Sequence, residues 1–132
     1  MKKQKINVER GLTSRSLPLI WKYISSPEGL RLWIAEQVEL QGDVLVFTWG
    51  KPGQVYETRR ANILNVQKHG AIRFKWEDED EEEAYTEIAV AKLDVTDDYV
   101  LSITDFSDPD DIDGMKRMWN HDLDRLHFKT GL

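Results

Sequence analysis

Residues 110–130 read DDIDGMKRMWNHDLDRLHFKT. Ile112, Met115, Trp119, Leu123 and Leu126 stand three, four, four and three residues apart, which places them on one stripe of a 3.6-residue period. The spacing predicts an amphipathic helix from Asp110 to Thr130, with Gly131 able to end it. At about 1.5 Å per residue such a helix is roughly 30 Å long, enough to cross a small sheet from edge to edge. Its apolar stripe needs a surface to cover, and the chain before it should supply a curved sheet. A cavity under the helix is an expected by-product.

The preceding residues change period where that picture requires it. Lys5 to Leu12 alternates like a first strand. Ser16 is a fitting cap for a helix through Ile24, and Pro18 is tolerated because it falls in the first turn. Ser26-Pro27-Glu28 opens a second short helix by the same rule, with Leu30, Trp33 and Ile34 as its apolar face. Two helices separated by a residue or two must form an elbow, and Gly29 inside the second implies close packing. From Gln37 onward the period is 2. Gln37 to Leu40 and Val44 to Trp49 flank Gln41-Gly42-Asp43, and Gly50 to Gly53 makes the next turn. Val55 to Val66 is a long strand, Lys68-His69-Gly70 turns it, and Ala71 to Trp76 returns. Ala84 to Val95 and Tyr99 to Phe106 form a further hairpin around Thr96-Asp97-Asp98. The order is strand, two short helices, about six antiparallel strands and a long helix, an α+β arrangement within one domain spanning residues 1–132.

Composition narrows the function classes. The 132 residues contain no cysteine, which removes disulfides, thiolate nucleophiles and Cys-ligated zinc and fits a reducing cytoplasm. No stretch approaches the ~20 apolar residues of a membrane span, and the start leads into no apolar signal core. The net charge of -6 is unevenly spread: residues 1–75 hold 13 Lys+Arg against 6 Asp+Glu, and residues 76–132 hold 5 against 18. Most of that excess is the run Glu77, Asp78, Glu79, Asp80, Glu81, Glu82 and Glu83, expected as a solvated, mobile hairpin loop, with a docking surface for a basic protein partner as the functional alternative. The acidic half disfavours nucleic acid.

The elbow and strand ends carry a resemblance. Ile24 through Glu36 (ISSPEGLRLWIAE), Phe47-Thr48-Trp49, Ile72 to Trp76, Ile103-Thr104-Asp105-Phe106 and Trp119 resemble the bacterial START-like domain family. That family belongs to the helix-grip (SRPBCC) superfamily, which also holds lipid-transfer START domains, polyketide cyclases and the activator domain of a chaperone ATPase. Trp33-Ile34-Ala35-Glu36 departs from the family's usual Trp-Phe-Ala-Asp, which would reshape one contact. The resemblance implies a helix-grip fold of six to seven strands with a long C-terminal helix across them. It spans carriers, enzymes and protein-binding modules, so it leaves function to the site.

No catalytic or metal constellation stands out, and no cofactor is expected. His69, His121 and His127 are scattered. The acids around Gly114 fail the calcium-loop pattern, since Pro109 falls at the first ligand and Asn120 where a bidentate Glu belongs; capping and the helix dipole account for them better. There is no Gly-x-Ser-x-Gly elbow and no phosphate-binding glycine pattern. The informative polar residues are those that strand parity turns inward. Glu57 and Arg59 share a face with Ala61 and Ile63, and Asp105 shares one with Leu101 and Ile103. Either these three form a charge network at the cavity mouth, or a β-bulge breaks the parity and Asp105 bonds the start of the last helix. Trp33, Phe47, Trp49, Phe74, Trp76, Met115 and Trp119 are candidate cavity walls, or simply core. The leading expectation is a non-enzymatic binder of a hydrophobic small molecule or lipid-like ligand between last helix and sheet. A protein-interaction module using the acidic run is the alternative. A cyclase- or hydratase-like enzyme would need Glu57, Arg59 or Asp105 to face an open pocket. Exposed edge strands leave monomer and homodimer both open.

Overall fold

A computed structural model describes residues 2–132. The elements are β1 (Gln4–Gly11), α1 (Leu17–Ser25), α2 (Pro27–Leu30), β2 (Gln37–Gln41), β3 (Val44–Lys51), β4 (Gln54–Gln67), β5 (Ala71–Trp76), β6 (Thr86–Lys92), β7 (Tyr99–Ser107) and α3 (Ile112–Thr130). All seven strands form one antiparallel sheet in the order β1-β7-β6-β5-β4-β3-β2. β2 to β7 follow one another as a meander, and β1 closes the far side by pairing with β7 from Gln4↔Ser107 to Gly11↔Val100. Two short helices near the start and one long helix at the end complete the helix-grip arrangement.

The elbow turns on one side chain. Ser26 is at once the C-cap of α1 and the N-cap of α2. Its hydroxyl donates to the Lys22 carbonyl at 2.6 Å and accepts the Gly29 N–H at 3.0 Å, so it satisfies groups that each helix end would otherwise leave open. Ser16 caps α1 in the ordinary way, accepting from the Leu19 N–H at 3.3 Å. The bend buries Ile20, Ile24, Leu30 and Trp33 completely. The Trp33 indole N–H still finds the Tyr23 carbonyl at 2.9 Å, which avoids the cost of a buried orphan donor.

Several boundaries depart from the sequence reading. α2 ends at Leu30, so Trp33 and Ile34, expected on its apolar face, follow it in a turn. The turn expected at Gly50 to Gly53 is tighter: β3 runs on to Lys51, and Pro52-Gly53 alone reverse the chain. Gly50 sits beside a register shift with φ of 107°, a backbone state that suits a residue without Cβ. The strand expected over Ala84 to Val95 is shorter, since Leu93 to Val95 turn outward with Val95 almost fully exposed. α3 starts at Ile112 rather than Asp110. Asp111 occupies the cap position without a side-chain cap bond, so the expected capping by acids is not made there, while Asp113 lies in the first turn, where the dipole favours it.

The β4 strand bulges twice. Its pairing with β3 passes over Tyr56, between Trp49↔Glu57 and Gly50↔Val55, and its pairing with β5 passes over Leu64. Both breaks lie outside the stretch from Glu57 to Ile63. Glu57, Arg59 and Ala61 therefore keep one face, the parity that a bulge among them would have destroyed.

A Cβ on Gly29 would run into the Lys22 carbonyl and the Tyr23 backbone, and backbone cannot step aside as a side chain can. Gly29→Ala is expected to destabilise the protein by about 3 kcal/mol, read as a lower urea midpoint at unchanged m value. Gly11→Ala, where an added Cβ meets nothing within 4 Å, should stay within about 0.5 kcal/mol.

Candidate functional site

Seven strands about 4.8 Å apart make a sheet roughly 29 Å wide, and a helix about 10 Å across cannot cover it. α3 packs against β1 and β7. Arg10 on β1 pairs with Asp124 at 2.9 Å, and the Thr13 hydroxyl donates to the Gly131 carbonyl at 2.6 Å, which holds the helix to that side. α1 covers part of β5 and β6. Between α3, the residues after the elbow and the inner face of β3 to β5 there remains a cleft of about 600 Å³.

The walls of the cleft are largely apolar. Ile34 and Ala35 come from the segment after α2, Trp49 from β3, Trp76 from β5, and Met115, Met118 and Trp119 from α3. Glu57, Arg59 and Asp105 also face it. The expected residues thus divide: Trp49, Glu57, Arg59, Trp76, Asp105, Met115 and Trp119 surround one space, whereas Trp33, Phe47 and Phe74 are fully buried behind it. Those three are core, because the elbow closes over Trp33 and Phe47 is packed between Phe74 and Trp76 at 5.7 and 5.1 Å between ring centres. They back the walls without reaching the space.

Asp105 and Trp119 join sheet to helix. Asp105 is 7% exposed and Trp119 3%. The Trp119 indole N–H donates to Asp105 Oδ2 at 2.9 Å. Oδ1 accepts the Thr86 hydroxyl at 3.0 Å and the Phe106 N–H at 2.9 Å. The carboxylate therefore bonds the middle of α3 and not its start. Burial pushes the Asp105 carboxyl above its ordinary range, outweighing the bonds from Trp119, the Phe106 N–H and Thr86 that favour its charged form.

Charge gathers at two ends. Near Asp105, Lys3 reaches Glu79 at 2.7 Å, and Arg59 lies 4.0 Å from the centre of the Trp76 ring while bonding Asp78 at 2.7 and 3.1 Å. Hydrogen bonds from Arg59 hold the Asp78 carboxyl below its usual value against a desolvation cost. Burial alone would raise Glu79 and lower Lys3, but the bond and charge each offers the other reverse both shifts. The acidic run is thus not wholly the solvated, mobile loop expected: Glu77 pairs with Arg60, Asp78 with Arg59 and Glu79 with Lys3. Glu83 pairs with Lys2 at 3.2 Å on the open surface, and among the described residues Asp80 and Glu82 remain exposed without an ion pair. At the other end Arg125 donates to the Trp33 carbonyl at 2.8 Å and to Asp122 at 3.1 Å, with Arg31 and Lys129 also on the cleft.

Sequence reasoning missed Asp122, Arg125 and Lys3, and it placed Glu79 only in the acidic run and not on the cleft. Asp122 left a signal: it follows Met115 by seven residues and Trp119 by three, so it lies on the apolar stripe itself. An acid there is buried by the same geometry that buries its neighbours. Among the described residues no group of three His, Cys, Asp or Glu side chains is placed to hold a metal, and no helix is long and apolar enough to cross a membrane.

The profile of a START-like superfamily domain matches residues 1–131. A solution structure of protein BfR322 from Bacteroides fragilis is 38% identical, with a TM-score of 0.64 and 98% of this chain and 92% of that one covered. An uncharacterised protein from Bacillus thuringiensis matches at TM-score 0.74 and 14% identity, over 96% of this chain and 98% of its own. The Aha1 dimer from Colwellia psychrerythraea matches at TM-score 0.69 and 15% identity, over 93% and 92%. The last two likenesses speak for the fold alone. No curated protein matches the chain.

Asp122 gives the site a pH signature. Burial pushes its carboxyl up to about 7, against the opposing charge and hydrogen bond of Arg125. The folded state therefore holds a proton that the unfolded chain has released, and stability falls as pH rises from about 4 to about 7. Asp122→Asn removes this loss and can still accept from Arg125. It is expected to flatten that part of the stability–pH curve and to raise stability at about pH 8 by roughly 2–4 kcal/mol, measured by urea unfolding across the pH range.

Proposed function

Since the chain belongs to the START-like superfamily, we propose that it is a binding module for a hydrophobic or amphipathic small molecule held between α3 and the sheet, working in a reducing cytoplasm. One observation carries this reading: a cleft of about 600 Å³ whose walls are the indoles of Trp49, Trp76 and Trp119 and the side chains of Ile34, Met115 and Met118. That volume falls in the range of small-molecule sites, about 300–1,000 Å³, and the apolar wall shares the cleft with many charged side chains, which suits an amphipathic ligand as well as a hydrophobic one. Met118 is 46% exposed, so apolar surface remains on the cleft for a ligand to take from water.

The other readings find less support. Acid–base chemistry on a ligand needs a carboxylate with a free oxygen. Asp105 has both of its oxygens committed to Trp119, Thr86 and the Phe106 N–H, and Asp122 has its Oδ1 bonded to Arg125. Glu57, the one expected cleft acid with both oxygens free of hydrogen bonds among the described residues, is largely exposed to water beside Arg59 at 3.9 Å. A docking surface for a basic protein needs uncommitted acids, and among the described residues the run keeps only Asp80, Glu81 and Glu82 for one, since Glu77, Asp78, Glu79 and Glu83 pair with cations of this chain.

The five indole N–H groups provide the test. On titration with decanol, the ¹H–¹⁵N signals of Trp49, Trp76 and Trp119 are expected to shift in a saturable way while those of Trp21 and Trp33, which lie off the cleft, stay in place. A uniform drift of all five, or no shift at all, would count against the reading. Substituting Ala35→Trp, which fills the cleft from the wall after the elbow, should abolish the shifts.

A further inference from the structure

The charges on the cleft do not cancel locally. At the end near Asp105 each cation is matched: Lys3 with Glu79 at 2.7 Å and Arg59 with Asp78 at 2.7 Å. At the elbow end, Arg31 and Lys129 line the cleft with both side chains exposed. Among the described residues neither side chain makes a hydrogen bond or ion pair. Arg125 is their neighbour by construction, one helical turn before Lys129 and bonded to the carbonyl of Trp33, two residues beyond Arg31. Its acid partner is Asp122, at 3.1 Å. This end therefore presents three cations against two acids: Asp122, which is buried, and Glu36, whose Oε2 already accepts the Gly50 N–H at 2.9 Å.

We propose that the ligand is an amphipathic anion of the carboxylate class, with its head at Arg31, Arg125 and Lys129 and its apolar body along Trp49 and Trp76. The inference rests on the binding reading above and adds the polarity and direction of the ligand. Charge complementarity carries it. A guanidinium and an ammonium free of protein partners favour an anion, while the opposite end offers only charges already paired. The head would compete with Asp122 for Arg125. A carboxylate arriving beside Asp122 favours the protonated form of that side chain, so binding takes up a proton and weakens as pH rises through neutrality. The other titratable groups on this side of the cleft are His121 on α3 and Glu36 after the elbow, with Asp105 at the opposite end. Because His121 also lines the cleft, the Asp122 contribution is isolated by substitution.

Decanoate and decanol separate the two layers of the argument, since they share a tail and differ in the head. By isothermal titration at low salt, decanoate is expected to bind about tenfold more tightly than decanol. The double variant Arg31→Gln/Lys129→Gln should bring the two together by weakening decanoate alone; neither side chain holds another residue, so the fold is expected to survive. Decanoate affinity should fall between about pH 6 and about pH 8, and Asp122→Asn should shrink that fall. Equal affinities, or a preference for decanol, would overturn the anion assignment and leave the hydrophobic-ligand reading standing. Binding of neither probe would remove both. A decanoate preference untouched by the double variant would place the head elsewhere and overturn the site named here.

Discussion

The bond between the Trp119 indole and the Asp105 carboxylate fixes how far the long helix can approach the sheet. It is 2.9 Å long, buried at both ends, and joins the middle of α3 to the last strand. An indole cannot collapse onto the sheet while its N–H is held by a carboxylate that Thr86 and the Phe106 N–H hold in turn. The helix is thus seated on the β1–β7 side and stands off from β3 to β5. The cleft is the space left by that seating. Removing the carboxylate while keeping the indole would leave a buried donor unpaired, a cost of about 1–3 kcal/mol.

The buried polar groups around the cleft are satisfied within the protein. No buried side-chain nitrogen or oxygen among the described residues lacks a partner, even though the cleft carries acids and bases at both ends. Such a site loses little by standing empty, which suits a module that must fold before it meets a ligand. Arg59 shows the economy of the arrangement. Its guanidinium lies over the Trp76 ring and bonds Asp78, so one side chain covers an indole and anchors the acidic loop.

Much of this was legible in the chain, and the parts that were not have physical reasons. The spacing from Ile112 to Leu126, the Ser26-Pro27 signal and the change of period after the elbow lead to the observed order of elements, because each reflects a local rule that tertiary packing did not override. The inward parity of Glu57 and Arg59 was readable as one of two outcomes; the choice depended on whether β4 bulged at Tyr56 or a few residues later, and bulge position is set by contacts between strands. Trp33, Phe47 and Phe74 could not be separated from Trp49 and Trp76 by sequence. Parity assigns a face, but whether a ring on that face meets a helix or a void depends on where α3 lies. Lys3 and Glu79 meet across 76 positions of chain, which no local pattern encodes. Asp122 was readable in principle, as a charge on the helical stripe.

The shared serine of the elbow has a consequence for how this chain can vary in length. Because Ser26 ends one helix and begins the next, there is no spacer between them to absorb an insertion. One added residue would rotate everything that follows by about 100° about the helix axis and swing Trp33 out of the core. The hairpin tips at Gly42, at Lys68 to Gly70 and at Thr96 to Asp98 carry no such double duty and lie at the surface, where extra residues cost little beyond loop closure. Length drift in relatives of this chain should therefore accumulate at the tips, with the stretch from Ser16 to Ala35 keeping a constant count.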